Sequence, residues 1–295
     1  MVQSQEPLPG TPTARRRGWI IVGLVVVIAA AWVFVLTGAG MHMSAFEMTR
    51  MELAEMERVL SGASGMAGGE SGNGMSGGGM GMEMPVWSVG TVIVMFFMWW
   101  IMMIAMMVPT IVPTVLHYAR RIGRSAADLG LYGSTAAFVL GYCLVWGGFS
   151  LAAVLLQWLL MRFDLLTPML VSSSLPLDAV LLLLAGLYQF TPIQRRALSS
   201  CRSCMVVEEQ PVGGLEASGF QIGLSEGLRC LTTCWVLMLL LFVSGAMNIY
   251  WIALLSLLVL LQKTIRGGDV FGYGLGVVLT VWGLGEAIVA LGLVP

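Results

Sequence analysis

Cys230, Cys234 and Met238 recur every fourth residue in GLRCLTTCWVLM, so on a helix their three sulfurs stack along one face. That arrangement suits a two- or three-coordinate Cu(I) site. Thiolate and thioether are soft ligands, and thiolate charge offsets the cost of holding a cation in an apolar interior. Two cysteines at this spacing can equally be small apolar residues of a packed helix. A second pair, Cys201 and Cys204, forms CxxC within YQFTPIQRRALSSCRSC, a spacing that serves soft-metal binding or thiol exchange. Arg195, Arg196 and Arg202 stand close by and would favour the thiolate. Cys143 is expected to be structural.

Methionine supplies the other sulfur. The stretch MFFMWWIMMIAMMVP, residues 95 to 109, contains six methionines. At about 100° per residue Met95, Met98, Met102 and Met106 share one narrow arc, and Met103 and Met107 widen it. The stripe reads either as a row of thioether ligands or as a packing seam, since methionine also fills gaps between helices. Pro109 and Pro113 should kink this helix and free backbone carbonyls near its end. His117, just beyond, is expected at the interface and not at a metal.

A methionine-rich segment precedes this helix. It opens with MHM at Met41 to Met43 and continues as FEMTRMELAEMERVL, which reads as a short amphipathic helix with Glu52, Glu55 and Glu57 on its polar side. It ends in a Gly/Ser-rich run carrying Met66, Met75, Met80, Met82 and Met84. Such a backbone is too entropic to fold alone. Its methionines are either compositional drift or an exchangeable Cu(I) capture arm, competent in an oxidising compartment where thiols would be lost.

The elements that must position these sulfurs are membrane helices. Of the 295 residues, 58% are hydrophobic and 11% charged, and several apolar runs exceed the ~18 residues that cross a bilayer. The fold expected is therefore all-α, a polytopic transmembrane bundle in the lipid bilayer. A net charge of -1 leaves no electrostatic footprint for nucleic acid. With 22 methionines and five cysteines against two histidines, sulfur dominates the possible metal ligands.

Seven candidate spans emerge: Trp19 to Leu36, Val86 to Leu116, Leu131 to Leu160, Leu175 to Ile193, Ile222 to Ala246, Ile249 to Leu261 and Val270 to Val294. Arginines and Lys263 cluster in the N-terminal tail and alternate loops, which places the N-terminus in the cytoplasm. The organisation read from this is a cytoplasmic tail (1–18), an N-terminal anchor (19–36), an extracytoplasmic Met/Gly-rich segment (37–85) and a transmembrane helical domain (86–295). The first span is longer than a signal-peptide core of roughly 7 to 15 residues, so an uncleaved anchor is expected. The short sixth span should pair with the fifth as a tight hairpin through Gly245 to Asn248. Gln157, Gln189 and Gln262 are expected to bond between helices. Glu286 and Asp178 are intramembrane acids open to either a proton-site or a packing role.

Three motifs together resemble a bacterial family of predicted metal-binding integral membrane proteins of unknown function, some of whose members are labelled copper chaperones. The matching residues are Trp99 with Ala105, Met106, Met107 and Pro109; Tyr188, Gln189, Thr191 and Pro192 followed by Cys201 and Arg202; and Gly227, Cys230, Cys234, Trp235, Leu237 and Met238. The likeness spans roughly residues 86 to 265 and implies a helical membrane core with a metal site. The family often has cysteine where Ala197 and Thr233 stand, histidine at Ser200, glutamate at Gln262 and proline at Cys204.

The expectation that follows is a non-enzymatic copper-handling protein of the bacterial inner membrane. Cu(I), or another soft metal, would pass along Met95, Met98, Met102 and Met106, rest on Cys230, Cys234 and Met238, and exchange through Cys201 and Cys204. It would cross the bilayer or reach a copper-accepting or copper-donating protein. Two other classes stay open: a membrane thiol-disulfide oxidoreductase using CxxC, and an assembly subunit of a membrane copper enzyme that exchanges no metal.

Overall fold

The computed structural model describes residues 12–38, 50, 87–122, 128–166, 174–203, 215–246, 248–265 and 267–292. Within them nine helices follow one another: α1 (Pro12–Leu36), α2 (Val89–Ile122), α3 (Asp128–Arg162), α4 (Leu175–Gln189), α5 (Pro192–Ser203), α6 (Leu215–Leu239), α7 (Leu241–Ser244), α8 (Ile249–Thr264) and α9 (Gly268–Ala290). The regular elements among the described residues are all helices, as the apolar runs require: in a bilayer a helix satisfies every backbone group within its own segment.

Five helices are long and apolar enough to cross a membrane, and a sixth span results if α4 and the start of α5 count together. These two are bent by 60°. The bend has a local cause. Thr191 accepts from the backbone N–H of Gln194 at 3.3 Å as an N-cap, and Pro192 follows where a missing N–H costs nothing. The fourth candidate span thus ends at Gln189, short of the expected Ile193. α8 is apolar but only 16 residues long.

α2 packs against α1, α3 and α8. Its outer flank, with Val89, Ile93, Val94 and Phe97, is exposed, yet Met102, Met103 and Ala105 to Val108 are all buried, as befits a helix apolar all round and enclosed by neighbours. α1 leans on it through a stripe of Ile20, Leu24, Ala31 and Val35. α2 runs on through Pro109 and Pro113. Side chains from other helices take up carbonyls just ahead of the first proline: Ser256 Oγ donates to Met106 O at 3.3 Å, and Tyr142 Oη to Met107 O at 3.2 Å.

Two helix pairs are packed most closely, α3 with α6 and α4 with α9. Both depend on glycine. A Cβ on Gly141 would stand 2.5 Å from Phe220 O, and one on Gly223 would run into the Phe138 backbone, so α3 and α6 nearly touch main chain to main chain. The turn after α7 uses Gly245 at φ 87°, and Asn248 caps α8 by accepting from the N–H groups of Tyr250 and Trp251. That turn is as short as expected. The hairpin it was expected to make is loose, however: α8 lies chiefly against α2 and α9 and approaches α6 sparsely.

The glutamines bond between helices as anticipated. Trp99 Nε1 of α2 donates to Gln157 Oε1 of α3 at 2.9 Å, and Gln262 Nε2 of α8 donates to Gln189 Oε1 of α4 at 2.9 Å. Glu286 accepts from Trp282 Nε1 one turn away on its own helix, at 3.0 Å.

Candidate metal centre

The glycine contact between α3 and α6 sets the centre. Gly141 lets α6 lie against α3, and the next residue, Tyr142, turns its phenol toward α6. Tyr142 Oη lies 3.0 Å from Cys230 Sγ. The same hydroxyl reaches Met107 O on α2, so one side chain ties three helices together at the level of the thiols.

Four residues along α6, the Cys234 thiol donates to Cys230 O at 3.0 Å, the back-bond natural to a short polar side chain in a helix. Its sulfur lies 4.0 Å from Met107 Sδ. Sulfur from two helices therefore meets in the interior, where Cys230, Cys234, Met107 and Met238 are all at most 2% exposed. A fourth helix contributes charge. From the last turn of α8, Lys263 extends its ammonium to within 2.7 Å of Cys230 Sγ.

The remaining sulfurs distribute as follows. Met98, Met102 and Met106 are buried within the same core, while Met95, nearer the start of α2, is half-buried and accepts from Gln157 Nε2 at 3.7 Å. From Met95 to Met106 the stripe extends roughly 16 Å along the helix axis. Its inner three methionines face the protein interior, but burial alone does not separate ligand from packing, since methionine also fills gaps between packed helices. Cys143 is buried, and its carbonyl accepts from Trp100 Nε1 at 2.8 Å, consistent with a structural position. Cys201 lies on α5; its side chain, the whole of Cys204 and the methionine-rich segment from 51 to 86 lie outside the described residues.

Among the described residues no three His, Cys, Asp or Glu side chains gather as a metal-binding group. The donors that do meet are two thiols and the Met107 thioether, soft ligands that fit Cu(I) and suit a hard cation poorly.

Three residues of this centre escape sequence reasoning. Met107 lies on the flank of the stripe, yet its sulfur is the one 4.0 Å from Cys234 Sγ. Tyr142 carries no motif. Lys263 reads as a loop charge setting topology, although one signal was available: it is the only lysine among 15 basic residues.

The fold defines a class: a helical bundle, with five to six helices able to span a membrane, that buries two cysteine thiols beside a methionine thioether. A family model described as copper chaperone matches residues 96–285, which takes in α3 to α8 complete and most of α2 and α9. The chain belongs to that family. No curated protein and no solved structure matches it.

Proposed function

We propose that this member of the copper-chaperone family binds Cu(I) on Cys230 and Cys234 with Met107 and Met238 alongside, in the bacterial inner membrane. Met95, Met98, Met102 and Met106 relay the ion from the external methionine segment, and Cys201 with Cys204 exchange it with the cytosol. The ion crosses the bilayer by this route or passes to a protein partner. No covalent chemistry is required. The observation that carries the reading is the 4.0 Å approach of Cys234 Sγ to Met107 Sδ across two buried helices, in a chain whose family bears a copper name.

Competitive titration tests it. The full chain, purified in detergent under reducing conditions, is titrated with Cu(I) against a chromogenic chelator. Cys230→Ser combined with Cys234→Ser should abolish tight binding. Deletion of residues 62–84 should leave that binding intact and slow only its loading from dilute copper. Equal affinity in the wild type and the double-serine variant would refute the reading.

A further inference from the structure

We propose that Lys263 is the counter-charge that fits the cysteine pair to a monovalent soft cation and against a divalent one. The proposal rests on the reading of Cys230 and Cys234 as ligands. Cysteine binds metal as the thiolate, so two such ligands bring a charge of minus two into an enclosed site. A monovalent ion leaves minus one, which the Lys263 ammonium cancels. A divalent ion beside the same ammonium leaves plus one, and an unbalanced buried charge is disfavoured.

The geometry supports this accounting. Lys263 Nζ stands 2.7 Å from Cys230 Sγ, a charge-assisted contact, and Cys230 itself is 2% exposed. A thiolate has lone pairs enough to accept an N–H while it binds a metal, so Lys263 need not leave when the ion arrives. Tyr142 Oη, also on this sulfur at 3.0 Å, is neutral and adds no charge. The nearest charges along α6 compensate each other, since Arg229 Nη1 bonds Glu226 Oε1 at 2.9 Å. Lys263 is moreover tethered to the last turn of α8, where the helix dipole favours a cation, so its position is set by the fold and not by the ligand.

The test compares affinities for Cu(I) and Cd(II), a soft monovalent and a thiophilic divalent ion, on the full chain in detergent under reducing conditions. Formation of the thiolate-to-metal absorption band in competition with chelators is the readout. Lys263→Met should lower the ratio of Cu(I) to Cd(II) affinity at least tenfold, and Lys263→Arg should keep the wild-type ratio. A loss of folded protein scales both ions alike and leaves the ratio untouched; Lys263→Gln replaces Lys263→Met if the latter does not fold. An unchanged ratio in the neutral variants, with both ions still lost in the double-serine variant, overturns the role of Lys263. Cu(I) binding that survives the double-serine variant overturns the ligand reading itself, and the role of Lys263 with it.

Discussion

Cys234 on α6 holds its sulfur 4.0 Å from the sulfur of Met107 on α2, although 127 residues separate them in the chain. Nothing local enforces this meeting. It follows from the close seat of α6 on α3, from Tyr142 binding both Cys230 and the Met107 carbonyl, and from the enclosure of α2. The two residues are therefore a sensitive point at which to probe whether the interior serves a metal or only itself.

Met107→Leu removes the thioether and keeps the volume, so stability should change by less than about 1.5 kcal/mol. Cu(I) affinity, measured by chelator competition, should fall about tenfold, equivalent to 1.4 kcal/mol. Leu in place of Met103, a buried neighbour without a described contact to the thiols, should leave affinity unchanged. Equal effects at the two positions would show that burial and not sulfur placement matters.

The α3 and α6 contact makes a steric prediction. Gly223→Ala drives a methyl group into the Phe138 backbone, which cannot yield as a side chain would. Unfolding measured in detergent should show a loss of about 1–3 kcal/mol, the usual cost of overpacking. Gly274→Ala, with open space around its Cβ on α9, should be neutral or stabilising by up to about 1 kcal/mol through helix propensity.

At the start of α2, Trp99 depends on Gln157 for its indole N–H, and both residues are fully buried. Gln157→Leu should cost about 1–3 kcal/mol by stranding that donor. Trp99→Phe combined with Gln157→Leu should cost less than the sum of the two single changes, giving a coupling of at least about 0.5 kcal/mol in a double-mutant cycle. Strict additivity would mean the bond contributes nothing.

Sequence reasoning reached the elements more readily than the site. Apolar run length disclosed the helices, and four-residue spacing put Cys230 and Cys234 on one face, because both properties are local to a segment. The interhelical roles of Gln157, Gln189 and Gln262 were legible for a related reason: an amide in an apolar span must find a partner across a helix interface. The approach of Met107 to Cys234 was not, since it depends on how α6 and α2 are seated together and not on the spacing within α2. The contact of Lys263 with Cys230 was not legible, because positive charges near helix ends ordinarily report topology and its reach across helices is not local to the segment. The break after Gln189 was written in Thr191 and Pro192, but an apolar window running through Ile193 concealed it.

In the proposed site, sulfur from α6 and α2 forms the first coordination shell of a monovalent copper ion. X-ray absorption at the copper edge of the Cu(I)-loaded protein measures that shell directly. The spectrum should show a Cu(I) edge with two to three sulfur neighbours, losing one on Met107→Leu and losing the ion altogether on joint replacement of Cys230 and Cys234 by serine. A shell of nitrogen or oxygen, or a sulfur shell indifferent to all three substitutions, would contradict it.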